Sequence, residues 1–255
     1  MTLLEAHGLG ITIGGKTVCE DLSLRIGAGQ AWGMLGQNGI GKTTLLLTLA
    51  GLRPPDCGEI RLKGKPLAQC DRPEVARDIG VVLQDNRELF PSTALETALI
   101  GRHPYLKRWQ WEDRADLDKA LDALRAMDLA GMAQRDVGTL SGGEHQRLQI
   151  ATLLTQDPAL SLLDEPINHL DLRHQIRTLE ILSRRLSSPG RALLMVLHDI
   201  NLAARFCDHI LLVCGEGIVR AGPRDEVLTL ENLNALYGYP LRQVEVEGRV
   251  VFVPG

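Results

Sequence analysis

The sequence carries no CxxC pair, no apolar run long enough to cross a bilayer and no large excess of one charge. Its five cysteines (Cys19, Cys57, Cys70, Cys207 and Cys214) are odd in number and scattered. That argues against a disulfide framework or a zinc site and for reduced, cytosolic thiols. A spanning helix needs ~18 apolar residues in a row, and none is found. The opening MTLLEAHGLG lacks the basic stretch followed by an apolar one that marks a secretory signal. A cytoplasmic chain is therefore expected, which does not forbid a membrane partner. The net charge of -4 gives no broad electrostatic reason to bind nucleic acid. Internal repeats and low-complexity segments are missing too. What is present is an ordinary globular composition, 44% hydrophobic and 24% charged. A length of 255 residues suits one large domain, or one with an inserted subdomain.

Residues 36–44 read GQNGIGKTT, an exposed lysine among Gly36, Gly39 and Gly41. The apolar run at 31–35 predicts a short buried strand, and 43–49 predicts a helix. A glycine-rich turn between them leaves backbone N–H groups at a positive helix end, an arrangement suited to phosphate. The spacing Gly36-x4-Gly41-Lys42-Thr43 is that of a phosphate loop, with Lys42 reaching the β- and γ-phosphates and Thr43 on Mg²⁺. The bland alternative is a glycine turn with a solvated lysine.

Alternating apolar and polar positions over residues 3–35 predict strands before this loop. GEIRLKGKPL (58–67) reads as a strand and turn, and DIGVVLQD (78–85) ends in another strand. From about Phe90 to Leu140 apolar residues recur at three- and four-residue spacing, which predicts helices. Strands return at 159–166, 191–199 and 209–215. Helical segments separate them, one running over 170–186 and ended by SSPG. This pattern is α/β, a sheet domain interrupted by a helical insertion. The core is expected over about 1–89 and 151–240, the insertion over about 90–150, and a closing hairpin, turned at EG, over about 241–255.

A phosphate loop requires an acid to hold Mg²⁺. Asp164, at the end of the apolar strand 159–163, is the candidate, with Thr43 supplying a direct oxygen. Glu165 beside it is placed to polarise the attacking water as general base. A strand ending in a solvated acidic turn is the structural alternative. LSGGEHQR (140–147) adds a second helix N-terminus with free amides, or else a plain cap at Ser141 and a flexible turn.

In this combination the residues resemble the ATP-binding cassette family. The match comprises GQNGIGKT, Gln84 in VVLQD, LSGGE, LLDEP, the NHLD run ending at Asp171, and His198 in VLHD. These occur in the family's order and span nearly the whole chain. The resemblance implies a P-loop ATPase with a sheet core, an antiparallel β subdomain and an inserted α-helical signature subdomain, with ATP and Mg²⁺ as ligands. It implies ATP held by Gly36, Gln37, Asn38, Gly39, Ile40, Gly41, Lys42, Thr43 and Thr44, and metal held by Thr43, Gln84 and Asp164. Catalysis would rest on Glu165, His198, Gln84 and Lys42. Gln84 would sense the γ-phosphate and link the site to the helical subdomain, and His198 would hydrogen-bond the γ-phosphate. Ser141, Gly142, Gly143 and Glu144 would face nucleotide held by a second copy in a head-to-tail dimer. Residues 168–171, with Asp171 near the nucleotide, would cross that interface. Hydrolysis would remove the bridging phosphate and let the dimer open. Ile13 stands where the family usually stacks an aromatic on adenine. Ile167 and His145 also depart from its pattern, without removing a catalytic group.

Three machines could use such an engine. A scaffold without hydrolysis is disfavoured by Lys42, Asp164, Glu165 and His198 together. Soluble factors of translation or DNA repair usually carry two cassettes or long coiled coils, and one motif set in 255 residues fits neither. A separate importer subunit is the better reading, peripheral at the cytoplasmic face of the membrane. Its partners would be a second copy of itself, integral permease subunits and, indirectly, a substrate-binding protein, with no nucleic acid. IGRHPYL (100–106) and the tail LNALYGYPLRQVEVEGRVVFVP resemble the iron-siderophore, haem and cobalamin importer branch, and the cargo stays open among these. Tyr105 and Trp109 are expected at the permease surface. For Trp109 and Trp111 the alternative is packing of a surface helix or loop.

Overall fold

The computed structural model describes residues 1–84, 91–185 and 189–255. The chain opens with β1 (Thr2–Ile13), β2 (Lys16–Gly27) and β3 (Ala31–Gly36), then α1 (Lys42–Leu49), β4 (Cys57–Leu62) and β5 (Lys65–Pro66). Next come α2 (Arg72–Asp78) and β6 (Ile79–Val82). A helical stretch follows: α3 (Ala94–Leu99), a 3-10 turn at Ile100–Tyr105, α4 (Arg114–Ala126) and α5 (Gly142–Gln156). The chain then alternates through β7 (Leu160–Asp164), α6 (Leu172–Arg185), β8 (Ala192–Val196), α7 (Ile200–Phe206) and β9 (His209–Gly215). It ends in β10 (Ile218–Pro223), α8 (Arg224–Val227), α9 (Leu230–Tyr237) and the hairpin β11 (Leu241–Val246) with β12 (Arg249–Pro254).

Two sheets carry the core. One is antiparallel, ordered β2-β1-β4-β5; the other is ordered β10-β9-β3-β8-β7-β6 and is parallel except for β10. The pleat explains why LSLLD, ALLMV and HILLVCG are nearly all apolar: both faces of the larger sheet are covered. Ala192, Leu194 and Val196 of β8 join α1 and the antiparallel sheet in one buried cluster. Leu193 and Met195, pointing the other way, join α5, α6, α7 and α9 in a second. Among the described residues no helix is long and apolar enough to cross a membrane.

Several boundaries move for local reasons. Asp78 ends α2, so the strand is only Ile79–Val82; Asp85 and Phe90 lie outside the described residues, as do 186–188. The helix expected from 170 starts at Leu172, because Asp171 accepts the His174 amide at 2.9 Å and acts as its cap. The division expected near 150 falls inside α5, which runs unbroken to Gln156 and stops where Asp157 turns left-handed at φ 59°.

The end of α5 ties the helical stretch to the sheet. A helix leaves its last four carbonyls without intrahelical partners, and here each has one. Leu153 O accepts the Asp157 amide at 3.1 Å, Leu154 O accepts Arg185 at 3.0 Å, Thr155 O accepts Arg102 at 3.3 Å, and Gln156 O accepts the Tyr105 hydroxyl at 2.9 Å. Gly101 permits this approach, since a Cβ there would stand 2.4 Å from Thr152 O. Arg102, 7% exposed, also donates to Asp116 Oδ1 at 2.7 Å and lies over the Tyr105 ring at 4.0 Å. Burial alone would push the Asp116 carboxyl up, yet Arg102 and the Asp113 amide hold it below the ordinary range. Arg102→Ala should therefore destabilise the chain by about 3 kcal/mol, because it strands a buried carboxylate and a helix carbonyl. Urea unfolding followed by circular dichroism measures this, and a loss below about 1 kcal/mol would show the pair to be dispensable.

Candidate functional site

The phosphate loop leaves β3 at Gly36 and enters α1 at Lys42. Gly41 caps the helix at φ 108°, and a Cβ there would meet Val18 Cγ2 at 2.5 Å; only glycine fits. Lys42, expected exposed, is only 6% so. Its Nζ donates to Gly36 O and Gln37 O, both at 2.9 Å, so the loop wraps its own lysine. Burial pulls the Lys42 pKa down, while Glu165 and Asp164 pull it up by less. The α1 amides remain a positive helix end.

Three further strand ends meet this loop. Thr43 Oγ1 donates to Asp164 Oδ2 at 2.6 Å across 121 positions of sequence. Asp164 is 1% exposed, and its Oδ1 has no hydrogen-bond partner among the described residues. Burial first, then the charge of Glu165, pushes its pKa up against the Thr43 bond and Lys42. An orphaned, dehydrated carboxylate oxygen beside a threonine hydroxyl is a donor set that suits a hard dication such as Mg²⁺.

Glu165, at φ 51°, turns back from the strand into a left-handed conformation that costs an L-residue about 1–3 kcal/mol. Three side chains hold it there. Gln84 donates to Oε2 at 2.9 Å, Asn168 donates to the same oxygen, and His198 Nε2 lies 2.5 Å from Oε1. Gln84 and His198 thus meet on Glu165. The part of Asn168 escapes a reading by motif, though its place three residues after a strand-end acid is the signal. Gln37 was also incompletely legible: its side chain donates to Leu236 O at 2.7 Å.

The remaining residues stand apart from this cluster. Ser141 caps α5 in a reciprocal box with Glu144, whose carboxyl is held low by the Ser141 amide and hydroxyl and also pairs with Arg135 at 3.6 Å. A Cβ on Gly143 would stand 3.0 Å from His169 O, and Gly142 lies near His169 Cβ. Asp171 is hydrogen-bonded to the amide and ring of His174, which hold its carboxyl low. Neither Ser141 nor Asp171 is hydrogen-bonded to the phosphate loop, among the described residues. Ile13, 47% exposed, ends β1, and His145 lies 3.4 Å from Gln149.

The ABC transporter family model matches residues 19–168, from β2 through the phosphate loop and α5 to the acidic turn. The chain belongs to the ABC transporter family. It is an ATP-binding, ATP-hydrolysing cassette. It is 37% identical to the ferric enterobactin transport ATP-binding protein FepC of Escherichia coli strain K12, over 98% of this chain and 92% of that protein. It is 37% identical to the hemin import ATP-binding protein HmuV of Bordetella avium strain 197N, over 92% of each. Its fold is similar to that of a cassette from a metal-chelate type ABC transporter solved in an inward-facing conformation. That match has a TM-score of 0.85 and 28% identity, covering 100% of this chain and 98% of the other.

The raised pKa of Asp164 has a consequence for the ligand-free cassette. With the folded pKa above the ordinary 3.8, the ionised carboxylate destabilises the fold at higher pH, and the loss fades as pH falls through the raised value. Asp164→Asn should therefore raise Tm near neutral pH, by about 2–4 °C, in chelator and without nucleotide. The gain should shrink in acid. A pH-independent gain in thermal melts would assign it to something other than this ionisation.

Proposed function

We propose that this cassette is the ATP-hydrolysing subunit of a membrane importer for a metal chelate, an iron-siderophore, haem or cobalamin. The observation that carries the hydrolytic half is the convergence of Gln84, Asn168 and His198 on Glu165, directly after the buried Asp164. In this reading the loop amides of 36–44 and Lys42 hold the β- and γ-phosphates. Glu165 takes the proton of the water that attacks the γ-phosphorus, and the bond to ADP breaks as phosphate forms. Gln84 and His198 hold that carboxylate in its left-handed turn. Thr43 and Asp164, with Gln84, would hold Mg²⁺, which when bound neutralises charge on the transferring phosphoryl group.

Ser141 gives its own amide to Glu144, and the first-turn amides of Gly142 and Gly143 make no hydrogen bond to this chain's own phosphate loop among the described residues, which supports a site completed by a second copy packed head to tail. The importer half rests on an exposed segment. Trp109 and Trp111 are 87% and 85% exposed, so packing within the chain does not account for them. Aromatic and arginine side chains are enriched at interface centres, and Arg108 lies over the Trp109 ring at 5.8 Å. Tyr105, expected on the same surface, instead serves α5 through its hydroxyl. A permease in the membrane is the partner proposed for the tryptophans, with a binding protein acting through it. Relatives equally similar to this chain are named for different cargoes, which fits a cargo chosen outside the cassette.

Two experiments test this reading. Glu165→Gln should lower ATP turnover at least 100-fold while retaining ATP binding, and light scattering should then find an ATP-dependent dimer that Ser141→Arg prevents. Turnover near the wild-type rate would remove Glu165 as base, and a dimer indifferent to ATP would remove the shared site. Trp109→Ala with Trp111→Ala should leave basal ATPase within about twofold yet abolish cargo uptake in reconstituted vesicles, since interface aromatics are worth 2 kcal/mol or more. Normal uptake would exclude this segment as the docking surface.

A further inference from the structure

The C-terminal segment touches the nucleotide site at two places that hydrolysis does not explain. The backbone oxygen of Gln37 accepts Lys42 Nζ at 2.9 Å, while its side-chain Nε2 donates to Leu236 O at 2.7 Å. Leu236 lies in the last turn of α9, where carbonyls lack intrahelical partners. One residue thus joins the phosphate-binding lysine to the end of that helix.

The second place lies just beyond His198. Asp199 caps α7 by accepting the amides of Asn201 at 2.7 Å and Leu202 at 3.0 Å. The Asn201 side chain pairs both ways with the backbone of Phe252, donating to its oxygen at 3.1 Å and accepting its amide at 2.8 Å. Between these anchors the Leu241 amide donates to Asn234 Oδ1 at 2.7 Å, joining α9 to β11. Leu233, Leu236 and Phe252 are buried in the main core. Tyr237 lies near enough to Asp199 that, after burial, this carboxylate helps push its phenol up to about 12. From position 37 to position 201 the tail is one strap of bonded and buried groups.

We propose that Gln37 and Asn201 are positioning residues, through which α9 and the β11–β12 hairpin hold the Lys42 loop in fixed relation to the His198 loop. The proposal rests on the ATP-hydrolysing reading of that site. Loops that follow different strands can shift independently, and phosphoryl transfer is sensitive to such shifts. The strap removes that freedom through the Gln37 and Asn201 side chains, which are bonded to Leu236 and Phe252, and leaves the Gln37 backbone to the phosphate loop.

The test uses the full chain. Gln37→Met keeps size, neutrality and the backbone oxygen that Lys42 needs, but removes the donor. Asn201→Leu removes both bonds to Phe252, and Asn201→Asp keeps the acceptor. Steady-state ATPase, ATP titration and thermal melts are measured for each. We expect kcat to fall about five- to tenfold in Gln37→Met and in Asn201→Leu, the range set by one net hydrogen bond. ATP Kd should change less than about twofold, since the phosphate contacts remain. The double variant should be no worse than the worse single one, because one strap is cut twice, and Asn201→Asp should recover part of the loss. Additive losses, losses that follow Tm alone, or a change in KM alone would overturn the strap. If wild type hydrolyses ATP and Gln37→Met matches it, the strap falls and the ATPase reading stands. A wild-type chain that binds no ATP would overturn both.

Discussion

Because β6, β7, β8 and β3 run parallel and in register, Val82, Asp164, Val196 and Gly36 finish on one edge of the sheet. Four loops must share the space beyond it. Every group with chemistry to offer sits on one of them: Gln84 after β6, Asp164 and Glu165 at β7, His198 after β8, and Lys42 after β3. Ligands in open α/β sheets collect at this carboxyl edge, and here the edge also forces like and unlike charges together. The covering of both sheet faces makes the arrangement rigid, since a strand cannot slip by one residue without exchanging its two buried faces.

Crowding at that edge leaves unbalanced electrostatics. The lysine is shifted down by burial, the aspartate is shifted up by burial, and one aspartate oxygen has no hydrogen-bond partner among the described residues. Glu165 is held in a strained turn by three neighbours. Each of these is unfavourable for the chain alone; in the proposed reading a polyphosphate beside Lys42 and a dication beside Asp164 would offset the first two.

How far the chain could be read before folding follows the same line. The phosphate loop, the acidic strand end and the α/β class were legible because spacing and apolar runs report local geometry. Thr43 and Asp164 were read as two ligands of one metal; the direct bond between them was not read. The burial of Lys42 was not, because it depends on where the loop's own carbonyls point. Nor was the bond from Gln37 to Leu236, which joins positions 199 residues apart with no periodicity to announce it. Tyr105 was read as a surface aromatic from its neighbours. Its hydroxyl is needed by a helix carbonyl, and sequence spacing does not register such needs.

That distinction bears on how docking would reach the site. Trp109 and Trp111 are exposed, whereas Arg102 and Tyr105, a few residues earlier, are bonded to the end of α5. A partner seated on the tryptophans would therefore push on α5 through two side chains and a close glycine contact. The helix spans 15 residues, about 22 Å at ~1.5 Å per residue, and its far end carries Ser141 and the free amides. With its four terminal carbonyls partnered, its C-terminal end cannot fray to absorb the displacement. Motion that reached Arg102 and Tyr105 would be passed through their bonds to the end of α5. In the proposed dimer, that movement sets whether the amides meet the γ-phosphate held by the other chain. The tryptophans would read the partner, and the buried residues between them and α5 would transmit.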